Sequence, residues 1–191
     1  MKETLYAYIS QFPMLSKEEI QLIVDRTEIR AYKKGTYLLR EGEIAKTCYL
    51  ILKGCIRQFV LRDGVEITTA FYTEGMSVNS FTSASHQSKS NHYMICNEDC
   101  VVTINNQSIE DEMCQLIPRL ESIIRDEVEK LSGHYQDTIT QYLSSSPEER
   151  YLDILENRAD LLNRVPQHQI ASYIGITPES LSRIRKRLSD K

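Results

Sequence analysis

The stretch Val165–Leu188, VPQHQIASYIGITPESLSRIRKRL, decides how the chain is read. Pro166 opens a short helix whose apolar residues are Ile170, Ala171 and Ile174. Gly175 supplies the left-handed conformation that ends a helix. Ile176 then points toward a core, Thr177 caps a second helix, and Pro178 takes its first position, where a missing N–H costs nothing. The inward stripe of that second helix, Leu181, Ile184 and Leu188, is spaced three then four, and the small Ala171 lets the two helices approach. Two short helices joined by such a turn form a helix-turn-helix.

The outward face of the second helix begins with Glu179, Ser182 and Arg183, at i, i+3 and i+4. Those side chains emerge together near the helix N-terminus, the end that reaches base edges in a major groove. Arginine makes a bidentate contact to guanine, and glutamate accepts from the cytosine amino group. Arg185, Lys186 and Arg187 follow one turn later; with Thr177 and Gln167 they are the expected contacts to the DNA backbone, which position the module and add salt-dependent affinity. The alternative is a helix pair on a protein surface with no nucleic acid.

Charge supports the first reading. The chain has 191 residues and a net charge of −4. From Arg164 to Lys191 there are six basic and two acidic residues, net +4, against 17 basic and 25 acidic, net −8, in the remainder. A basic module is thus attached to an acidic body.

Upstream of this module the texture changes twice. The first 27 residues read as helical, with Ser16 and Glu19 forming a capping box ahead of Ile20, Ile23 and Val24. From Glu28 to Ile104, short apolar or alternating runs (Thr36–Leu39, Cys48–Leu52, Ile56–Leu61, Ile67–Phe71, Cys100–Ile104) are separated by turns bearing Gly35, Gly42, Gly54, Gly64 and Gly75. Strands at this spacing predict an antiparallel barrel or sandwich, with Asp63-Gly64 the clearest hairpin signal. The polar tract Ser77–His92 is expected to form a loop or short helix between strands. After Asn105 the helical period returns, with Pro118 in the first turn of a long helix. Leu120, Ile124, Val128, Leu131, Tyr135, Thr138 and Tyr142 recur at steps of four and three, the seam of a parallel coiled-coil homodimer; such a stripe could also pack on the chain's own body. Ser144-Ser-Ser-Pro147 is the expected hinge. Beyond it Ser146, Pro147 and Glu149 start a helix that turns Leu152, Ile154 and Leu155 inward and runs to about Asn163.

These features together resemble the Crp/Fnr family of bacterial transcription regulators. The resemblance spans nearly the whole chain, and its most specific parts are Lys53-Gly-Cys-Ile-Arg57, Asp63-Gly64 and Gly175-Ile-Thr-Pro-Glu-Ser-Leu-Ser-Arg183. The compact form is similar to short members found in Bacteroidetes-type bacteria. The resemblance implies an α+β fold: a cyclic-nucleotide-binding-like effector domain built on an antiparallel β-roll (1–117), a dimerisation helix (118–144) and a helix-turn-helix DNA-binding domain (145–191). It places Glu179, Ser182 and Arg183 on the family's base-contacting positions. Two departures stand out. Only Ser189-Asp190-Lys191 follow the second helix, so the family's β-wing is expected to be truncated. Relatives that bind cyclic AMP follow the strand-end glycine with a glutamate and later use an Arg-Ser pair; here Gly75 precedes Met76, and no arginine occurs between Arg62 and Arg119. A buried phosphate without a bidentate partner is poorly compensated, so the chain is not expected to respond to cyclic AMP. An unidentified small-molecule effector is expected around Gly75, Met76, Ser80, Lys89 and Asn91, with His86 and His92 the other nearby cationic candidates.

The remaining chemistry is sparse. Cys48, Cys55, Cys96, Cys100 and Cys114 are an odd set without a zinc spacing, expected as reduced core thiols rather than a metal or redox site. The four histidines are scattered, and no nucleophile–base, phosphate-loop or paired-carboxylate motif stands out. Tyr93, Tyr135 and Tyr142 line either the contact between roll and helix or an ordinary core. No apolar run reaches membrane-spanning length, and the first residues lack a signal-peptide pattern. The expectation is therefore a cytoplasmic homodimer with duplex DNA as partner, RNA polymerase a further candidate partner, and neither cofactor, metal nor enzymatic activity. A small-molecule or redox sensor acting through protein contacts is the alternative.

Overall fold

A computed structural model describes residues 1–78, 80, 83 and 87–189. Helices α1 (Lys2–Ile9) and α2 (Lys17–Arg26) come first, and the capping box at Ser16 forms: its hydroxyl accepts from Glu19 N while its own N–H donates to the Glu19 carboxylate. Eight antiparallel strands follow: β1 (Glu28–Tyr32), β2 (Tyr37–Leu39), β3 (Tyr49–Lys53), β4 (Ile56–Arg62), β5 (Val65–Tyr72), β6 (Ser77–Val78), β7 (Tyr93–Cys96) and β8 (Cys100–Ile104). They form two four-stranded sheets, ordered β1-β8-β3-β6 and β2-β7-β4-β5. Helices α3 (Gln107–Leu116) and α4 (Leu120–Ser144) lead out of the roll, and α5 (Pro147–Asn157), α6 (Leu161–Arg164), α7 (Gln167–Ile174) and α8 (Pro178–Ser189) complete the chain.

The glycine turns do what their chemistry dictates. Asp63 and Gly64 both have positive φ (52° and 77°), the primed turn that matches the twist of the β4–β5 hairpin. Gly54 is required twice over: its φ is 104°, and a Cβ there would stand 2.7 Å from Cys100 Sγ and 2.8 Å from the Asp99 carbonyl.

Three apolar clusters organise the molecule. One lies between the sheets, around Ile51, Ile56, Val78, Met94 and Val102. A second joins α1, α2, α3 and the start of α4, through Leu5, Val24, Ile117 and Ile123. The third contains Tyr151, Ile154, Leu161, Ile170, Ala171, Ile174 and Leu181 from the C-terminal helices together with Cys55 and Phe71 from the roll. The C-terminal helices and the roll therefore share a core.

Several boundaries differ from those expected. Strands β1, β6 and β7 were not among the predicted runs. Pro118 lies in the turn ahead of α4, not in its first turn, because Ile117 is buried at a break where Leu120 N bonds back to the Ile117 carbonyl. Helix α5 ends at Asn157, not near Asn163; the chain breaks at Arg158, whose guanidinium reaches the Phe71 carbonyl of β5 at 2.9 Å. Its inward residues are Tyr151 and Ile154, one turn apart, while Leu155 is rotated off that face and exposed. Within the Ser77–His92 tract, Ser77–Val78 forms β6; His86 falls outside the described residues. Asp190 and Lys191, where a wing would begin, also lie outside them.

Candidate nucleic-acid interface

The two helices of the expected helix-turn-helix, α7 and α8, are joined by local rules. Gly175 sits at φ 81°, its N–H bonding the Ser172 carbonyl at 3.1 Å while Ile176 N bonds the Ala171 carbonyl at 2.9 Å. A Cβ on Gly175 would fall 2.6 Å from the Tyr142 hydroxyl, the tip of an exposed side chain, so it is the positive φ that calls for glycine here. Thr177 Oγ1 accepts from Ser180 N at 3.3 Å, the expected cap of α8. Leu181 and Ile184 are buried against Ile170, Ala171 and Ile174.

All the residues expected at DNA lie on the surface: Gln167, Thr177, Glu179, Ser182, Arg183, Arg185, Lys186 and Arg187 are exposed. Arg183 Nη2 donates to Ser180 Oγ at 3.0 Å, one turn back along the helix. The Glu179 carboxyl is held below its ordinary range by its own backbone N–H, the Thr177 hydroxyl and the Arg183 charge, so it stays an acceptor. Arg187 pairs with Glu148 of α5, and the two rim a hollow of about 470 Å³ that Ser146, Ser180 and Arg183 also line.

The opposite side of this unit is attached to the roll. β5 is an edge strand, and an open edge leaves backbone groups unpaired. Helix α7 covers it. The Ser172 hydroxyl accepts from Thr68 N at 2.9 Å and donates to the Glu66 carbonyl at 3.2 Å. Tyr173 meets Phe71 edge-on, with ring centroids 5.3 Å apart. Asn97 donates to Gln169 Oε1 at 2.7 Å. Arg164, which the charge arithmetic groups with the basic module, faces the roll and is paired there with Glu74 and Glu98. Burial alone would raise the Glu74 carboxyl; hydrogen bonds from Arg164 and from the backbone N–H groups of Glu74 and Gly54 outweigh it and hold it down to about 2. Arg150 is the other residue that sequence reasoning missed: it lies 3.7 Å over the Tyr142 ring and donates to the carbonyls of Tyr142, Ser145 and Ile174, tying the end of α4 to α7.

Along α4 the expected seam divides. Leu120 packs on the N-terminal cluster beside the buried Ile123, and Ile124 and Leu131 are half-buried. Val128, between those two, and the apolar side chains beyond Leu131 are open to solvent: Val128 at 45%, Tyr135 at 38%, Tyr142 at 41%, together with Ile139 at 59% and Leu143 at 78%, which the heptad reading did not include.

The expected effector residues are not gathered in one place. A cavity of about 490 Å³ opens in the roll between Leu38, Ala45, Tyr49 and Met94, and Ser80 is the expected residue that lines it. Gly75 forms the β5–β6 turn, its N–H donating to the Ile51 carbonyl at 2.9 Å, and Met76 Sδ accepts from Thr73 N at 3.4 Å. Lys89 and Asn91 are not among the residues that line the cavity. Burial holds the His92 imidazole below its ordinary pKa. Cys55, Cys96 and Cys100 are buried, and burial pushes the Cys55 thiol up to about 12. Among the described residues no three histidine, cysteine or acidic side chains are placed to hold a metal ion, and no helix is long and apolar enough to cross a membrane.

Comparison with known proteins places this geometry. Residues 29–115 match the family model of the cyclic nucleotide-binding domain. No curated protein matches the chain by sequence. Among solved structures, the c-di-GMP responsive global regulator CLP of Xanthomonas campestris superposes with a TM-score of 0.70 at 17% identity, covering 92% of each chain. FixK2 from Bradyrhizobium japonicum gives 0.68 at 18% identity over 86% of this chain and 85% of its own. The chain shares the fold of these two regulators. The catabolite activator protein of Thermus thermophilus is a more distant neighbour, with a TM-score of 0.51 at 18% identity over 94% of this chain and 86% of its own. At such identities the likeness concerns architecture: antiparallel roll, long helix and C-terminal helices in that order.

Proposed function

We propose that the chain is a DNA-binding transcription regulator of the Crp/Fnr type, which reads palindromic duplex sites as a homodimer and does not respond to cyclic AMP. The observation that carries the reading is the capped helix α8, which presents Glu179, Ser182 and Arg183 to solvent while the other side of its unit is packed on the roll. Arg183 reads guanine, Glu179 reads cytosine, Ser182 adjusts between them, and Arg185 and Lys186 hold phosphates. The exposed stripe of α4 from Val128 to Leu143 supplies the dimer seam, and the two α8 helices then meet half-sites about one DNA turn, ~34 Å, apart. The absence of arginine between Arg62 and Arg119 supports an effector other than cyclic AMP, and the cavity beside Ser80 is where that effector binds.

Fluorescence anisotropy with labelled duplex DNA across a salt series tests the reading. The wild-type chain is expected to bind with a steep salt dependence, and Arg183→Glu to lose preference for its operator. Equal behaviour of the two proteins on every duplex would remove α8 as the reading element.

A further inference from the structure

Arg164 closes the short helix α6 and turns back toward the roll. Its Nη1 donates to Glu74 Oε2 at 2.8 Å, its Nη2 to Glu74 Oε1 at 2.9 Å, and its Nε to Glu98 Oε1 at 2.8 Å. One planar guanidinium thus bridges two carboxylates, a fork that the point charge of a lysine does not reproduce. The two acids come from different turns: Glu74 from the β5–β6 turn and Glu98 from the β7–β8 turn. Between those turns lies the tract from β6 to β7, so Arg164 grips both of its ends. Both turns are anchored further. Gly54 N donates to Glu74 Oε1 at 2.8 Å, Asn97 beside Glu98 reaches Gln169 of α7, and Arg158 donates to Thr73 Oγ1 at 3.3 Å.

We propose that Arg164 is a positioning residue through which the β-roll fixes the orientation of the helix-turn-helix, so that a shift of the β5–β6 or β7–β8 turn reaches that unit through α6 and not only through α4. The inference rests on the DNA-reading function above and names its regulation. The clamp leaves the reading surface open, since Glu179, Ser182 and Arg183 face outward in the docked arrangement; it restricts where that surface points. Two reading units that must engage two half-sites at once gain from the restriction, because orientations that binding would have to exclude are already excluded. One unit on one half-site gains little. That asymmetry separates a positioning role from a purely structural one.

The experiment uses the full chain with Arg164→Gln, Arg164→Lys and the double variant Glu74→Gln/Glu98→Gln. Each is titrated onto a palindromic duplex selected with the wild type and onto a duplex holding one half-site, and amide hydrogen exchange is followed in α7 and β1. Arg164→Gln is expected to weaken binding to the palindrome about tenfold, to leave half-site binding unchanged and to accelerate exchange in α7 but not in β1. The double variant reproduces this, and Arg164→Lys recovers part of it. Equal weakening on both duplexes, or unchanged binding to the palindrome, overturns the positioning role while leaving the DNA reading intact. If the wild type binds neither duplex, the DNA reading itself fails and this role falls with it.

Discussion

The arginines of the C-terminal helices divide into two populations. Arg158 and Arg164 face the roll, and the Arg164 side chain is only 22% exposed among Glu74, Glu98 and Asp160. Arg183 and Arg185 stand on the exposed face of α8. Arg187 lies between the two cases, exposed yet paired with Glu148 inside its own unit. The same residue type in one basic segment thus faces opposite ways. A mostly covered arginine already paired with carboxylates is not available to a phosphate without loss of those bonds, whereas an exposed, unpaired one is. The net +4 of the segment overstates its exposed charge, because Arg164 contributes to the sum and little to the surface.

The comparison breaks most severely if the shared core is opened. Leu161, fully buried beside Arg164, packs in the cluster that includes Phe71 and Cys55. Leu161→Ala is expected to cost about 2–5 kcal/mol, and denaturant unfolding followed by tyrosine fluorescence should show roll and C-terminal helices losing structure in one transition. Two separated transitions would mean that the roll-facing side is a weak contact. The outward-facing side is tested by Arg183→Ala, expected to cost about 1–3 kcal/mol on the preferred operator and to relax selectivity at one base position, measured by competition between operator variants. Arg185→Ala should act differently: binding weakens about equally on all sequences and the salt slope falls by about one.

The smallest effect separates the populations by pH. Glu74 is held down to about 2 in the folded chain, against about 4.3 when unfolded. Because the folded value is the lower, its contribution is present above about pH 4.5 and fades as pH falls toward 2. Wild-type stability should therefore drop more steeply over that window than that of Glu74→Gln, with the two curves parallel above pH 5. Curves that stay parallel through the acid range would show that the pair with Arg164 contributes nothing in solution.

What was legible in the sequence is what local chemistry controls. Both capping boxes, at Ser16 and Ser146, form as read, as do the Asp63-Gly64 hairpin and the left-handed turn at Gly175. Each rests on residues within a few positions of one another. The strands that escaped notice are weak signals: β6 has two residues, β1 is a five-residue sheet edge, EIRAY, whose alternation rests on Ile29 and the small Ala31, and β7 follows a polar tract that conceals its start. The clamp was invisible because Arg164 and Glu74 are 90 positions apart and no periodicity links them. In the same way the apolar stripe of α4 was legible, yet which part of it the N-terminal cluster would cover, Leu120 and Ile123, depended on how α1 and α2 pack.

The central claim is that α8 reads duplex DNA in symmetric pairs. Selection from a random duplex pool with the purified wild-type chain, at near-physiological salt and without added effector, tests it most directly. The account predicts a recovered palindrome whose half-sites lie about one turn, 10–10.5 base pairs, apart centre to centre. A pool that stays random, or a single unrepeated motif, would contradict it.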